Sequence, residues 1–153
     1  MLKAVDHTSY SYVLQNLAQG SAPIGDSSIA ENFDTVVLCA QELQDIRLPG
    51  LEVIHAPFDD SGPPPTREEV VLAWNAAKRV AKRVRAGRRV LVTCAMGRNR
   101  SGLVTGFVLR MLGLDASQAV NVIRIARGPK ALSNPHFVKL LAAVRPAQPG
   151  VSA

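Results

Sequence analysis

At 153 residues, 47% hydrophobic and with a mean hydropathy of +0.09, the chain has the make-up of one globular domain with a real core and excludes a disordered or fibrous chain. A net charge of +6 and a pI of about 9.9 favour anionic partners such as phosphoproteins, phosphoinositides, nucleic acids or acidic surfaces, without choosing among them. Two cysteines, Cys39 and Cys94, are too few for a disulfide framework or a C-x-x-C zinc site.

No stretch of the opening "MLKAVDHTSYSYVLQNL" has the apolar run of a secretory signal. Arg110 interrupts the best approach to the roughly 18 apolar residues of a membrane span. A cytoplasmic location is therefore expected, with thiols kept reduced.

Residues Leu14, Gln15 and Asn16 with the following "LAQGSAPIGD" read as a short first strand running into a Gly/Pro turn. "DSSIAENF" reads as a short helix capped by Asp26 or Ser27. "FDTVVLCA" is a compact apolar run, a buried strand, and "LEVIHAPF" is the next. "DDSGPPPT" is a stiff loop, because Pro63, Pro64 and Pro65 remove three consecutive backbone donors.

Thr66 then caps a helix, with Glu69 completing a capping box. Val70, Trp74, Ala77, Ala81 and Val84 form its apolar stripe, and it stops near Gly87. "RRVLVTC" is a further strand. "RSGLVTGFVLRMLG" is a second helix with a broad apolar face of Leu103, Val104, Phe107, Val108, Met111 and Leu112, ended by Gly113. A third helix, "DASQAVNVIRIAR", opens on an Asp115–Gln118 capping box, and a fourth, "NPHFVKLLAAV", on Asn134 with Pro135 at its first position.

Strands alternating with helices predict a single α/β domain over residues 1–145 with a flexible tail over 146–153. Its central, mostly parallel sheet has about four to five strands flanked by helices. Ligands in such sheets sit beyond the carboxyl ends of strands, and Cys94 lies at one of those ends.

The stretch "LVTCAMGRNRSGLV" carries the chemistry. A loop between a strand end and a helix start offers several free N–H groups and the positive end of the helix dipole to an anion. Gly97 permits the tight turn, and the field favours a thiolate at Cys94. Arg100 supplies a planar fork for an oxyanion, and Ser101 can donate its hydroxyl to the sulfur as it leaves. The loop Ala95, Met96, Gly97, Arg98, Asn99 and Arg100 is thus a phosphate cradle around a nucleophile, needing no metal or cofactor.

Cys94 to Ser101 matches the C-x5-R-[ST] signature and is similar to the cysteine-based protein tyrosine phosphatases, closest to their small dual-specificity group. The resemblance runs from about Leu17 to Leu141. "PFDDSGPPP" resembles the general-acid segment of the phosphatases of regenerating liver, and that likeness implies Asp60 as the acid, with Asp59 the competing carboxylate. The chemistry independently needs such a group, to protonate the leaving oxygen and then activate water.

The resemblance implies a phosphatase acting on phosphotyrosine and on phosphoserine or phosphothreonine through a phosphocysteine. A phosphoinositide or RNA 5′-phosphate substrate, or a phosphate-binding module with little turnover, is the alternative. Asn99 resembles the RNA 5′-triphosphatases of the superfamily, and Arg98 is placed for a second substrate anion.

The family's usual histidine before the cysteine is Thr93 here. The hydroxyl is expected to replace only part of its hydrogen bonding, implying a slower enzyme. Cys39 reads first as a buried core thiol; the resemblance to the regenerating-liver phosphatases implies a disulfide with Cys94 as the other reading. Arg124, Arg127 and Lys130 are candidates for the rim. Lys78, Arg79, Lys82, Arg83, Arg85, Arg88 and Arg89 read as a solvated cationic face.

Overall fold

A computed structural model describes residues 8–145 of the chain; the expected tail over 146–153 lies outside them. The strands are β1 (Tyr10–Leu14), β2 (Leu17–Gly20), β3 (Thr35–Ala40), β4 (Glu52–Phe58) and β5 (Val90–Thr93). The helices are α1 (Ile29–Asn32), α2 (Arg67–Arg85), α3 (Arg100–Met111), α4 (Ala116–Arg127) and α5 (Pro135–Ala143), with a 3₁₀ turn over Gln41–Leu43. The sheet order is β1-β2-β5-β3-β4, parallel except for the antiparallel edge strand β1. The expected α/β architecture with a mostly parallel sheet is therefore present.

The pleat sorts the side chains of the central strands. Val37, Cys39, Val90, Val92 and Cys94 fall into one core with the inner faces of α2, α3, α4 and α5. Val36, Leu38 and Leu91 fall into the other, beneath Ile29 and Phe33. This is the period of two expected of strands buried on both faces.

The first strand differs from the sequence expectation. The chain forms a hairpin there, and Gln15 and Asn16 are its turn, not part of a strand. The Asn16 carboxamide donates to the carbonyls of Val84 and Arg88, so the turn is held by the end of α2, which no local pattern encodes. The short helix α1 has Ser28 at its cap position. The Asp26 carboxylate instead accepts from the Ser28 amide and hydroxyl in the preceding turn.

The buried stripe of α2 is centred on Ala73, Ala76, Ala77, Val80 and Ala81, with Val70, Trp74 and Val84 at its margins. Alanines let this helix lie close against the sheet. Its capping box and that of α4 form as the sequence predicts. Helix α3 is buried on every side from Arg100 to Leu109, because it runs through the middle of the helical layer; a helix apolar nearly all round requires that.

Candidate active site

Strand β5 ends at Thr93, and the chain turns through Cys94–Asn99 into α3. Every carbonyl from Ala95 to Asn99 is tied down. That of Ala95 accepts from the Ala22 amide, Met96 from Arg127 Nη2, Gly97 from Gln19 Nε2 and Arg127 Nε, Arg98 from the Leu132 amide, and Asn99 from Leu103. None of the N–H groups of residues 95–99 donates to an acceptor among the described residues. With its carbonyls fastened and its amides unpartnered, the loop is a ready anion cradle.

Gly97 makes the turn with φ +71°, where a Cβ would stand 2.4 Å from the Gly20 carbonyl carbon. Arg127 braces the loop from outside, its Nη1 also donating to the hydroxyls of Ser9 and Ser11 at 3.2 and 3.4 Å. Burial lowers the pKa of this guanidinium, and the nearby Cys94 works in the opposite direction.

Cys94 is 3% exposed, with its Sγ 3.2 Å from Ser101 Oγ. Arg100 is held by a bidentate pair to Glu42, at 2.6 and 2.9 Å, and donates to the Phe58 carbonyl at 3.2 Å. The same contact holds the Glu42 carboxyl at about 2, well below its ordinary value. Glu42 is a residue the sequence reading missed. It comes from the 3₁₀ turn after β3, 58 residues from its partner, and nothing in its local sequence marks it.

The cleft above the loop, about 270 Å³, is lined by Asp60, Cys94, Met96, Arg98, Asn99, Arg100, Lys130 and Ser133. Asp60 and Asp59 part company here. Asp60 faces the cleft, its Oδ1 accepting from Asn134 Nδ2 at 2.5 Å. Asp59 is turned to its own loop. Its carboxylate accepts from the Ser61 hydroxyl, which lowers its pKa, and its amide donates to Glu69 Oε2 at 2.9 Å. Glu69 thus closes the capping box of α2 and anchors the acid loop with its two oxygens.

Several lesser candidates take different places from those expected. Asn134 is a helix cap, accepting from the His136 amide, but it also holds Asp60, so the cap is only part of its role. The Asn99 carboxamide bonds Ser133 and the Asn134 amide, joining the loop to the start of α5. Arg124 donates to the carbonyls of Ala131 and Leu132, and Arg127 braces the loop, so of the three rim candidates only Lys130 lines the cleft.

The Thr93 hydroxyl does not substitute for the absent histidine. It donates to the Val37 carbonyl across the sheet at 2.7 Å, and the pleat sends its side chain away from Cys94. Gln19 and Arg127 hold the loop carbonyls. Cys39 is fully buried in the same core as Cys94, one residue past the paired Leu38 and Thr93. Burial, with the neighbouring Cys94, raises its thiol pKa well above the ordinary value. Both cysteines are free.

A parallel sheet that delivers a cysteine into a C-x5-R loop, with an arginine locked behind it and a carboxylate across the cleft, defines a cysteine-based phosphatase. The model of the dual specificity phosphatase catalytic domain matches residues 17–146, and the chain belongs to that family.

Tk-PTP in its active form aligns over 88% of this chain and 96% of its own, at 26% identity and a TM-score of 0.69. Human DUSP28 aligns over 86% and 89%, at 25% identity and 0.70. A mouse protein described as a dual specificity phosphatase, complexed with zinc tungstate, shares the fold at 24% identity and 0.74, over 92% and 88%. No curated protein matches the chain in sequence. No helix among the described residues is long and apolar enough to cross a membrane.

Proposed function

We propose that this phosphatase hydrolyses phosphate monoesters of tyrosine, serine and threonine side chains in two steps through a phosphocysteine. The observation that carries the reading is the single cleft bringing Cys94, Arg100 and Asp60 together beside five unpartnered loop amides.

In the first step Cys94 Sγ attacks phosphorus, forming the P–S bond as the P–O bond to the leaving group breaks. The loop amides and Arg100 hold the three non-bridging oxygens. Asp60, protonated, gives its proton to the leaving oxygen. Asn134 Nδ2 occupies Oδ1, so Oδ2 is the oxygen left to carry that proton. In the second step the Asp60 carboxylate takes a proton from water, whose oxygen attacks phosphorus and breaks the P–S bond. Ser101 then donates its hydroxyl to the departing thiolate, 3.2 Å away.

Arg98 and Lys130 favour a second reading of the substrate. Both line the cleft, and neither side chain has a hydrogen bond or ion pair among the described residues. Two free cations beside the phosphate suit a substrate with a further anionic group, such as a phosphoinositide or an RNA 5′-phosphate.

Hydrolysis of an aryl phosphate by wild type, Cys94→Ser, Asp60→Asn and Asp59→Asn tests the assignment. Turnover is expected in wild type and Asp59→Asn, with none in Cys94→Ser. Asp60→Asn should lose about a hundredfold, within the range of a general acid. An inactive wild type would leave a phosphate-binding module. Loss in Asp59→Asn but not in Asp60→Asn would move the acid to Asp59.

A further inference from the structure

Helix α2 carries a run of cations, and the fold divides them between two sides. Arg83 turns to β4, where its Nη2 is 2.6 Å from Glu52, with Arg79 at 3.9 Å from the same carboxylate. Lys78, Lys82 and Arg85, spaced by four and three residues, share the other side and line a groove of about 480 Å³. Lys78 and Lys82 have no hydrogen bond or ion pair among the described residues, and Arg85 donates only to the Met111 carbonyl.

Trp74, Met111 and Val144 supply the apolar surface of this groove. The indole is fixed edge-on against Phe107, ring centroids 5.1 Å apart. No Asp or Glu lines the groove, and the segment "PAQPGVSA" that follows Arg145 contains none. Complementing the helix dipole accounts for Lys82 and Arg85 in the last turns, but that effect fades within one turn and leaves Lys78 unexplained. The groove is remote from catalysis. It lies at the Arg110 end of α3, ten residues or about 15 Å along the axis from Arg100.

We propose that this groove docks an acidic segment of a partner protein, which lays apolar side chains on Trp74 and Met111 and sets carboxylates against Lys78, Lys82 and Arg85. From Lys78 to Arg85 the cations extend about 10 Å along the helix, the length of roughly three extended residues. A small anion cannot span that distance, and a fatty acid brings one charge. A peptide with several carboxylates flanking leucines meets both the length and the charge. Binding there leaves the catalytic cleft open, so the surface recruits a partner without blocking turnover.

Trp74 is the sole tryptophan of the chain, so its emission reports the groove directly. The full chain is titrated with three short blocked peptides: one alternating Glu-Asp with Leu-Leu pairs, one with lysine replacing every acid, and one with serine replacing every leucine. Only the first is expected to shift the emission saturably, more weakly as salt rises. The exposed double variant Lys78→Glu/Lys82→Glu should lose at least about tenfold in affinity while hydrolysing aryl phosphate at the wild-type rate.

The proposal is overturned if the acidic leucine peptide leaves the emission unchanged, if the lysine peptide binds as well, or if the double variant binds undiminished. It is overturned too if sodium oleate binds and the peptide does not, which would make the site one for an anionic lipid. Peptide binding that emerges only after deletion of residues 146–153 would give the groove to the chain's own terminus.

Discussion

Replacing Gly97 by alanine should damage the phosphate loop far more than the fold. At φ +71° an L side chain costs about 1–2 kcal/mol of backbone strain. The added methyl would also stand 2.4 Å from the Gly20 carbonyl carbon and 2.6 Å from the Ser21 amide nitrogen. Those are backbone atoms at the end of β2, so no side-chain rotation relieves the overlap. The third neighbour, Arg127 Nη2 at 2.7 Å, can swing aside. The loop must therefore shift.

In shifting, the Gly97 carbonyl loses its bonds to Gln19 and Arg127, both 3.1 Å, at about 1 kcal/mol each. Strain and lost bonds together come to about 3–4 kcal/mol, equivalent to a fall in kcat/KM of at least about a hundredfold if phosphate binding needs the original loop. Aryl phosphate kinetics and urea unfolding of Gly97→Ala are to be compared with Gly87→Ala and Gly113→Ala. Those two glycines also have positive φ, +79° and +106°, but open space around the Cβ position. They should lose about 1 kcal/mol of stability and stay within about twofold of wild-type turnover. Turnover by Gly97→Ala within about twofold of wild type would refute the reasoning, since it would mean that the loop tolerates the overlap.

Arg127→Met keeps the apolar stem and removes the brace on the Met96 and Gly97 carbonyls. Affinity for orthovanadate, a phosphate mimic, should fall about tenfold or more, with only a modest loss of melting temperature because burial of the cation already offsets part of its bonding; unchanged vanadate affinity would reduce Arg127 to a packing residue.

Stability should decline in acid. Asp34, Glu42 and Glu52 are each held at about 2 by bonds to Arg89, Arg100 and Arg83, below ordinary values of 3.8 and 4.5. A depressed folded pKa stabilises above the unfolded value and loses that contribution as pH falls through the folded one. Urea midpoints should therefore hold level above about pH 5 and drop from there toward pH 2, modestly for Glu42, whose half-exposed side chain is screened. A midpoint that stays level down to pH 2 would contradict these pairings.

If Cys39 and Cys94 form a disulfide, mild peroxide should inactivate the enzyme reversibly, with thiol reductant restoring activity, and Cys39→Ser should remove that reversibility. Equal recovery in both proteins would leave Cys39 as a core thiol.

What the sequence determined by itself is local. Cys94 to Arg100 is one turn of loop entering a helix, so spacing alone brings the thiol and the guanidinium to one cleft. The boxes Thr66–Glu69 and Asp115–Gln118, and the Asn134–Pro135 start, join residues within a single helical turn and are legible for the same reason.

Only the tertiary structure decided the rest. Glu42 reaches Arg100 across 58 residues, Asn134 reaches Asp60 across 74, and Gln19 reaches Gly97 across 78. Such contacts depend on strand order and helix packing, for which no spacing in the chain is a signal. Gln19 stands out as a polar residue in a fully buried strand only once the fold is known. Which of the paired carboxylates lines the cleft with Cys94 is likewise a property of the folded loop: Asp60 does, while Asp59 bonds within its own loop. Thr93 shows the same limit. Its position beside the cysteine was plain, but the pleat of β5 sends its hydroxyl across to Val37 and leaves the loop to Gln19 and Arg127.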